Sequence, residues 1–540
     1  MSSRHDRILV AGRVHTMAPS GPGVAEAVHV VDGLVAAVGT REEMRLRRSR
    51  ATETIDLGDA TLLPGFVEPH THPDLCAQLY AWTDVSGFTY PDVAGVVAAL
   101  QSAAARTPEG EWIFAFGLDP MLTRDLGAWD RRRLDAISDR HPMFVMIQSM
   151  HTAFVNSRAL AIAGIDASTP NPGHGGHFGR DAAGEPTGRL EEQTAMLPFL
   201  VHMDAADDHV REHLRAQYGR YRDAGITSIG VAGTFTGAKQ LPIFVGVAED
   251  AANPVRTTAY LRHPAGSGLA SAPRDGARYR VRGVKLWYDG SPYTGTMLLR
   301  EPYLDTELCC CTLGIPAGTT GRANFAPDDA ADALADLRRG GWQVLTHAQG
   351  DRGCAEMLDL YARVLAGDTS DHRWRLEHCA LVSPEDLQRA AAIGVSPSFH
   401  VNHVLHYGPE LRDAILGRER AERLMPLASA LEAGHRISLH ADSPMYPALP
   451  LSLVRTAVTR LTRHGDVLGA RHAIPLDAAL RAVTVDAAWH LHDDTGGAIV
   501  PGRRADFTVL ERDPYAVAPA DLDRIAVLGT WLDGEPTGAF

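Results

Sequence analysis

The chain has 540 residues, 45% of them hydrophobic and 22% charged, and its Lys+Arg total of 52 against 66 Asp+Glu leaves a formal net charge of −14. This is the composition of a folded globular protein, long enough for one large domain with an appendage or for two domains. The acidic balance argues against nucleic acid or an anionic membrane as partner, and the absence of any run of about 18 apolar residues argues against a spanning helix.

Six cysteines without a CxxC pair form no disulfide framework and no zinc finger. The start, MSSRHDRILVAGRVHTM, lacks the apolar core of a signal peptide. The expected setting is therefore cytoplasmic, with a small-molecule substrate and, as the commonest oligomer, a homodimer.

In chain order, Ile8–Val10, Ala27–Val31 and Leu34–Val38 are short β-type runs, with Asp32-Gly33 as a two-residue hairpin turn between the last two. The tail has the same texture in Ala505–Leu510, Ile525–Leu528 and Thr530–Leu532. Residues 1–64 and 491–540 are thus expected to build one small sheet from both termini. The basic run Arg45–Arg48 reads as a solvated helix face.

The middle, 65–490, alternates helix, glycine and strand. Tyr218–Ala224, Asp332–Arg339, Leu387–Ile393 and Leu427–Ala433 each stop at a glycine and run into a short apolar strand. Val93, Val96, Val97 and Leu100 keep helical spacing. Such repetition predicts an α/β fold with parallel strands, closed or open. No GxGxxG marks a nucleotide-binding open sheet. A stretch around 75–210, with Trp82, Tyr90, Trp112, Phe114, Phe116 and Trp129, exceeds what such a core needs and reads as an insertion over its mouth. Cys309, Cys310 and Cys311 are expected in an insertion loop.

The chemistry starts at LLPGFVEPHTHPDL. Strand residues i and i+2 share a face, so His70 and His72 can offer two imidazoles to one ion. His347 follows the strand-like Trp342–Thr346, His378 ends Trp374–Glu377, and Asp442 follows Ile437–Ala441. Their separations of about one and two β-α-β repeats place them at the carboxyl ends of successive strands, where a (β/α)8 barrel builds its active site. Lys285 sits among Val281, Val284 and Leu286. Burial would leave it a neutral amine able to take up CO2 as a carbamate, an anion that can bridge two metals. His400, His403, His440 and His151 are further candidates for oxyanion or substrate contacts.

HTH after LLPGFVEP, GVKLWYDGS, THAQGDRG, RLEHCALVS and SLHADSP, in that order, resemble the metal-dependent amidohydrolase superfamily. HTAFVNSRALAIAGI, GHFGRDAAGEPTGRLEE and TGGAIVPGRRADFTVLERDP extend the resemblance over nearly the whole chain, to the YtcJ-like branch that includes N-substituted formamide deformylases. It implies a (β/α)8 TIM barrel with a β-sandwich from both termini. It implies two divalent metals, zinc, with His70 and His72 on one, His347 and His378 on the other, carbamylated Lys285 bridging, and Asp442 as ligand and general base and acid. The implied reaction is hydrolysis of a non-peptide carbon–nitrogen bond in an amide or N-acyl (N-formyl) substrate. His400 is expected to assist catalysis, and His151, His403 and His440 to contact substrate. The alternatives are a mononuclear zinc deaminase of the same superfamily and a non-catalytic scaffold. Pro292–Thr296 and Ser396–His400 depart from the branch's usual pattern beside the expected pocket.

Overall fold

The computed structural model describes residues 6–18, 23–173, 175–203, 206–235, 240–263, 273–368 and 370–538. Its centre is a parallel sheet of eight strands: β1 (Phe66–Thr71), β2 (Ile226–Ala232), β3 (Arg256–Arg262), β4 (Tyr279–Trp287), β5 (Gln343–Ala348), β6 (Arg375–His378), β7 (Ser396–Phe399) and β8 (Ser438–Leu439). They are hydrogen-bonded in that order. Every residue of β1, β2, β5, β6, β7 and β8 is buried, as parallel strands covered on both faces must be.

The sheet curls into a nearly closed barrel. Among the described residues β8 and β1 share no ladder. Residues 482–483 lie between them instead: Leu439 donates to the Ala482 carbonyl at 3.1 Å and Val67 to that of Val483 at 2.8 Å. Nearer the carboxyl ends, the Glu68 carboxylate accepts the Ala441 N–H at 3.1 Å, and the Ser443 carbonyl accepts that of His72 at 2.9 Å.

Helices return the chain between strands, and their boundaries follow local chemistry. Before β7, the Ser383 hydroxyl caps helix Pro384–Ala392 by accepting the Asp386 N–H, with Pro384 in the first turn. Gly394, at φ +70°, ends it in the left-handed region that glycine enters without a Cβ clash. Helix Val93–Arg106 buries Val96, Leu100 and Ala103 along one face.

Both ends of the chain enter one eight-stranded sheet. Asp6–His15 pairs with Val24–Val31, which turns at Asp32-Gly33 (φ +50° and +80°) into Leu34–Gly39, the double positive φ of a type I′ hairpin. Thr61–Pro64 lies between Asp6–His15 and Phe507–Leu510. The tail runs Ile525–Leu528 and Thr530–Leu532 merge into a single strand, Val527–Leu532, because Pro519–Arg524 winds into a 3-10 helix anchored by buried Leu522. Leu9, Val28, Leu62, Phe507, Val509 and Trp531 form the core of this sheet.

Between β1 and β2 the chain builds a six-stranded sheet running from Thr83–Asp84 through Ile113–Leu118, Met143–Ile147, Thr152–Val155 and Pro186–Glu191 to His177–Arg180. It has apolar clusters of its own on its two sides. Gln148 ties it to the barrel by donating to the Met445 carbonyl at 2.7 Å. Cys309–Cys311 lie in one wide helical turn, Leu308–Leu313, rather than a loop, and all six cysteines are free. Among the described residues no helix is long and apolar enough to cross a membrane.

Candidate metal centre

The carboxyl ends of the strands bring the expected residues together. His70 stands in β1 and His72 just beyond it. Asp442 follows β8, and its Oδ1 lies 3.0 Å from His72 Nε2 and 3.4 Å from His70 Nε2. Lys285, fully buried in β4, puts its Nζ 3.3 Å from His70 Nε2. The His378 ring, at the end of β6, is 4.8 Å from that of His70, and the His347 ring is 4.3 Å from that of His378.

Backbone strain aims two of these groups. His378 has φ +73° and Asp442 φ +55°, a region that costs a non-glycine residue about 1–3 kcal/mol. In a regular strand, neighbours Glu377 and His378 would face opposite sides. The left-handed turn brings both to the barrel interior.

Hydrogen bonds set the histidine tautomers. His70 Nδ1–H donates to the Glu377 carboxylate at 2.5 Å, and Arg375 holds that carboxylate by a second contact at 2.7 Å. His72 Nδ1–H donates to the Gly233 carbonyl at 3.3 Å. Each therefore presents Nε2 as a lone pair, the arrangement that outer-shell partners impose on metal-bound imidazoles. His400 donates Nε2–H to the Ala441 carbonyl at 3.0 Å and leaves Nδ1 3.9 Å from Asp442 Oδ2.

Lone pairs of His70 Nε2, His72 Nε2 and Asp442 Oδ1 thus converge within a buried space. Asp442 Oδ1 and His400 Nδ1 have no hydrogen-bond partner. Buried acceptors facing one another repel unless a cation lies between them, so this donor set fits a metal ion. Three donor trios qualify among the described residues: His70, His72 and Asp442; His378, His400 and Asp442; and His70, His378 and His440.

Electrostatics agree with that fit. Burial, reinforced by the neighbouring Lys285, holds His70 well below the ordinary histidine pKa. Burial and His347 do the same for His378. Burial alone would raise Asp442, but His70 and His72 outweigh it and hold the carboxyl well below its usual range. Burial lowers Lys285 to about 8, against the pull of Glu377 and Asp442.

Other expected residues lie at varying distance from this cluster. His347 donates Nε2–H to the Gly290 carbonyl at 3.1 Å and belongs to none of the three trios. His440 belongs to the third trio, stacks on His70 at 4.6 Å and is hydrogen-bonded to His378 and Ser398. His403 is bracketed by the hydroxyls of Tyr293 and Tyr446, each at 2.9 Å. Neither lines the cavity above the site. His151 does, with its Nδ1 2.9 Å from Glu192 Oε2.

That cavity holds about 680 Å³, the size of a drug-like ligand pocket. His70, His72, His347, His378 and Asp442 floor it, Phe235, Arg262 and Trp287 line one side, and Trp82, Met146, Met196 and Leu200 of the insertion line the rest. Sequence reading missed Glu377, Glu192 and Arg262. Glu377 carried a signal: two residues beyond Arg375 and one before His378, it had to share the arginine's inward face.

The sequence profile of the amidohydrolase family matches residues 53–537, and the chain belongs to that family. It is a hydrolase acting on carbon–nitrogen bonds, similar in sequence to YtcJ, as the motifs led us to expect. It is 27% identical to the N-substituted formamide deformylase of Arthrobacter pascens, over 99% of this chain and 98% of that protein. It is 26% identical to the Bacillus subtilis (strain 168) protein YtcJ, named as an amidohydrolase, over 97% of this chain and 98% of that one. An uncharacterized metal-dependent hydrolase from Pyrococcus horikoshii OT3 shares the fold with a TM-score of 0.73 at 22% identity, covering 95% of this chain and 99% of its own.

Proposed function

We propose that the protein hydrolyses the amide bond of an N-acyl, most simply N-formyl, small molecule with two zinc ions. His70 and His72 would hold one ion, His347 and His378 the other, with Lys285 as a bridging carbamate and Asp442 as a shared ligand. Two divalent ions supply Lewis acidity to a carbonyl and lower the pKa of an attacking water. The observation that carries the reading is the convergence of three lone pairs on one buried point, with the Lys285 amine 3.3 Å from His70. The relative named as a formamide deformylase supports the choice of bond.

The side chains divide the work. Asp442 is ionised at rest, so it can take a proton from the attacking water and return it to the leaving nitrogen, which would otherwise depart as a very basic anion. Burial disfavours charge on His151, but Glu192 at 2.9 Å outweighs it and raises its pKa, leaving a donor on the cavity wall for the substrate oxygen. Lys285, kept partly unprotonated by burial, supplies the nucleophile that CO2 requires. We place the enzyme in the cytoplasm, and we read the sheet of both termini as a sandwich closed over its own apolar core.

One observation favours a mononuclear deaminase instead: His70, His72 and Asp442 suffice for one ion, while His347 belongs to no trio. Metal analysis and turnover of N-formylphenethylamine separate the readings. About two zinc ions per chain, formate release, and loss of both the second ion and activity in Lys285→Ala are expected. One ion per chain and an active Lys285→Ala variant would overturn the binuclear proposal.

A further inference from the structure

Among the described residues, the cavity wall carries one arginine that the reaction above does not use. Arg262 ends β3 and lines the cavity. Among the described residues its guanidinium has no ion-pair or hydrogen-bond partner and only an aromatic face, with Cζ 5.6 Å from the centre of the Phe235 ring. The other charged side chains sharing its barrel face are tied down: Lys285 lies within the ligand cluster, and Arg375 is paired with Glu377. Burial lowers the Arg262 pKa with nothing opposing it. Arg262 is half-buried, and a guanidinium partly withdrawn from water without a counter-ion carries a cost in the free protein that an entering anion relieves.

Resting on the amide-hydrolase reading, we infer that Arg262 is a specificity-determining residue that binds a carboxylate on the substrate, so that the enzyme acts on N-acyl derivatives of apolar α-amino acids. A lone planar fork with five donors matches one carboxylate in a bidentate pair, whereas a phosphate dianion would bring two charges to a single arginine. Position sets where that carboxylate sits. The Phe235 ring is 5.0 Å from the His72 ring and directly under the guanidinium, so one aromatic ring separates the anion anchor from the metal ligands. The carboxylate must lie a few bonds from the scissile carbonyl, as in an α-amido acid. Trp82, Met146, Met150, Met196 and Leu200 offer apolar and polarizable surface for the amino-acid side chain.

N-formyl-L-phenylalanine and N-formylphenethylamine differ only by the carboxylate and test the inference. Titration calorimetry on the zinc-loaded protein should show the acid binding about tenfold or more tightly, the usual worth of a hydrogen bond to a charged group. Arg262→Met should abolish that preference, with the acid losing about tenfold more affinity than the neutral amide, while Arg262→Lys keeps part of it. Circular dichroism and thermal melting establish that the variants fold. Equal affinities in the parent, a preference that survives Arg262→Met, or no binding of either compound would overturn the inference. Binding needs no turnover, so an Arg262-dependent preference without hydrolysis would sink the amide-hydrolase reading and spare the anion site. Hydrolysis of both compounds without preference would do the reverse.

Discussion

Lys285 shows how one side chain can carry a penalty that the free protein feels. Its pKa of about 8 in the fold compares with about 10.4 in an unfolded chain. Between those values the unfolded state binds more protons, so stability rises with pH across that window. Below it the penalty is constant, at about 3 kcal/mol. In metal-free, CO2-free buffer, Lys285→Met should therefore be more stable than the parent by about that amount at pH 7, with the gap narrowing as pH climbs from 8 towards 10. Urea unfolding at pH 7 and pH 9.5 checks this, and an unchanging gap would contradict it.

At the same scale, legibility followed backbone geometry. His70 and His72 were readable because strand alternation alone puts both on one face, and Lys285 because apolar neighbours announced its burial. Glu377 was passed over because an Arg-x-Glu pair in a strand also describes an ordinary buried ion pair. Glu192 and Arg262 gave no signal. Their roles depend on which cavity wall they reach, and that cavity joins segments far apart in sequence, the insertion that holds Glu192 and the end of β3 that holds Arg262.

Among elements, the segment after β2 shows how a short piece of backbone serves the ligands. Gly233 sits at φ +100°, and an added Cβ would lie 2.4 Å from Trp287 Cη2 and 3.3 Å from Lys285 Cγ. Its carbonyl accepts the His72 Nδ1 proton. Gly233→Ala should thus cost at least about 1–2 kcal/mol from the left-handed backbone alone, and should weaken zinc retention by disturbing His72. Chelator competition and chemical unfolding measure the two effects, and a variant with parental zinc affinity would show that the carbonyl does not orient the ring. Helix–glycine–strand units were legible because capping and periodicity are local. The wedge of residues 482–483 between β8 and β1 was not, since two residues leave no periodicity to read.

For the whole molecule, the donors straddle the place where, among the described residues, the barrel lacks a ladder: His70 comes from β1, His72 from just beyond it and Asp442 from just beyond β8. An ion held by all three would join the two edges. A ligand present at a hundred times its Kd adds about 2.7 kcal/mol to the folded state, so dialysis against a chelator should lower Tm by a few degrees, recovered on adding zinc. Hydrogen exchange at residues 438–443 should quicken in the metal-free protein more than exchange in β4 or β5. Uniform quickening would mean that the ion does not hold that edge.

The strand Thr61–Pro64, which leads directly into β1, has Phe507–Leu510 as its antiparallel neighbour. During synthesis the residues that flank the first ligands must therefore wait for more than four hundred others before that partner leaves the ribosome. Until then a row of backbone donors and acceptors beside Leu62 and Leu63 stays open, and a nascent chain in this state is a natural client for a chaperone that shields exposed strand edges.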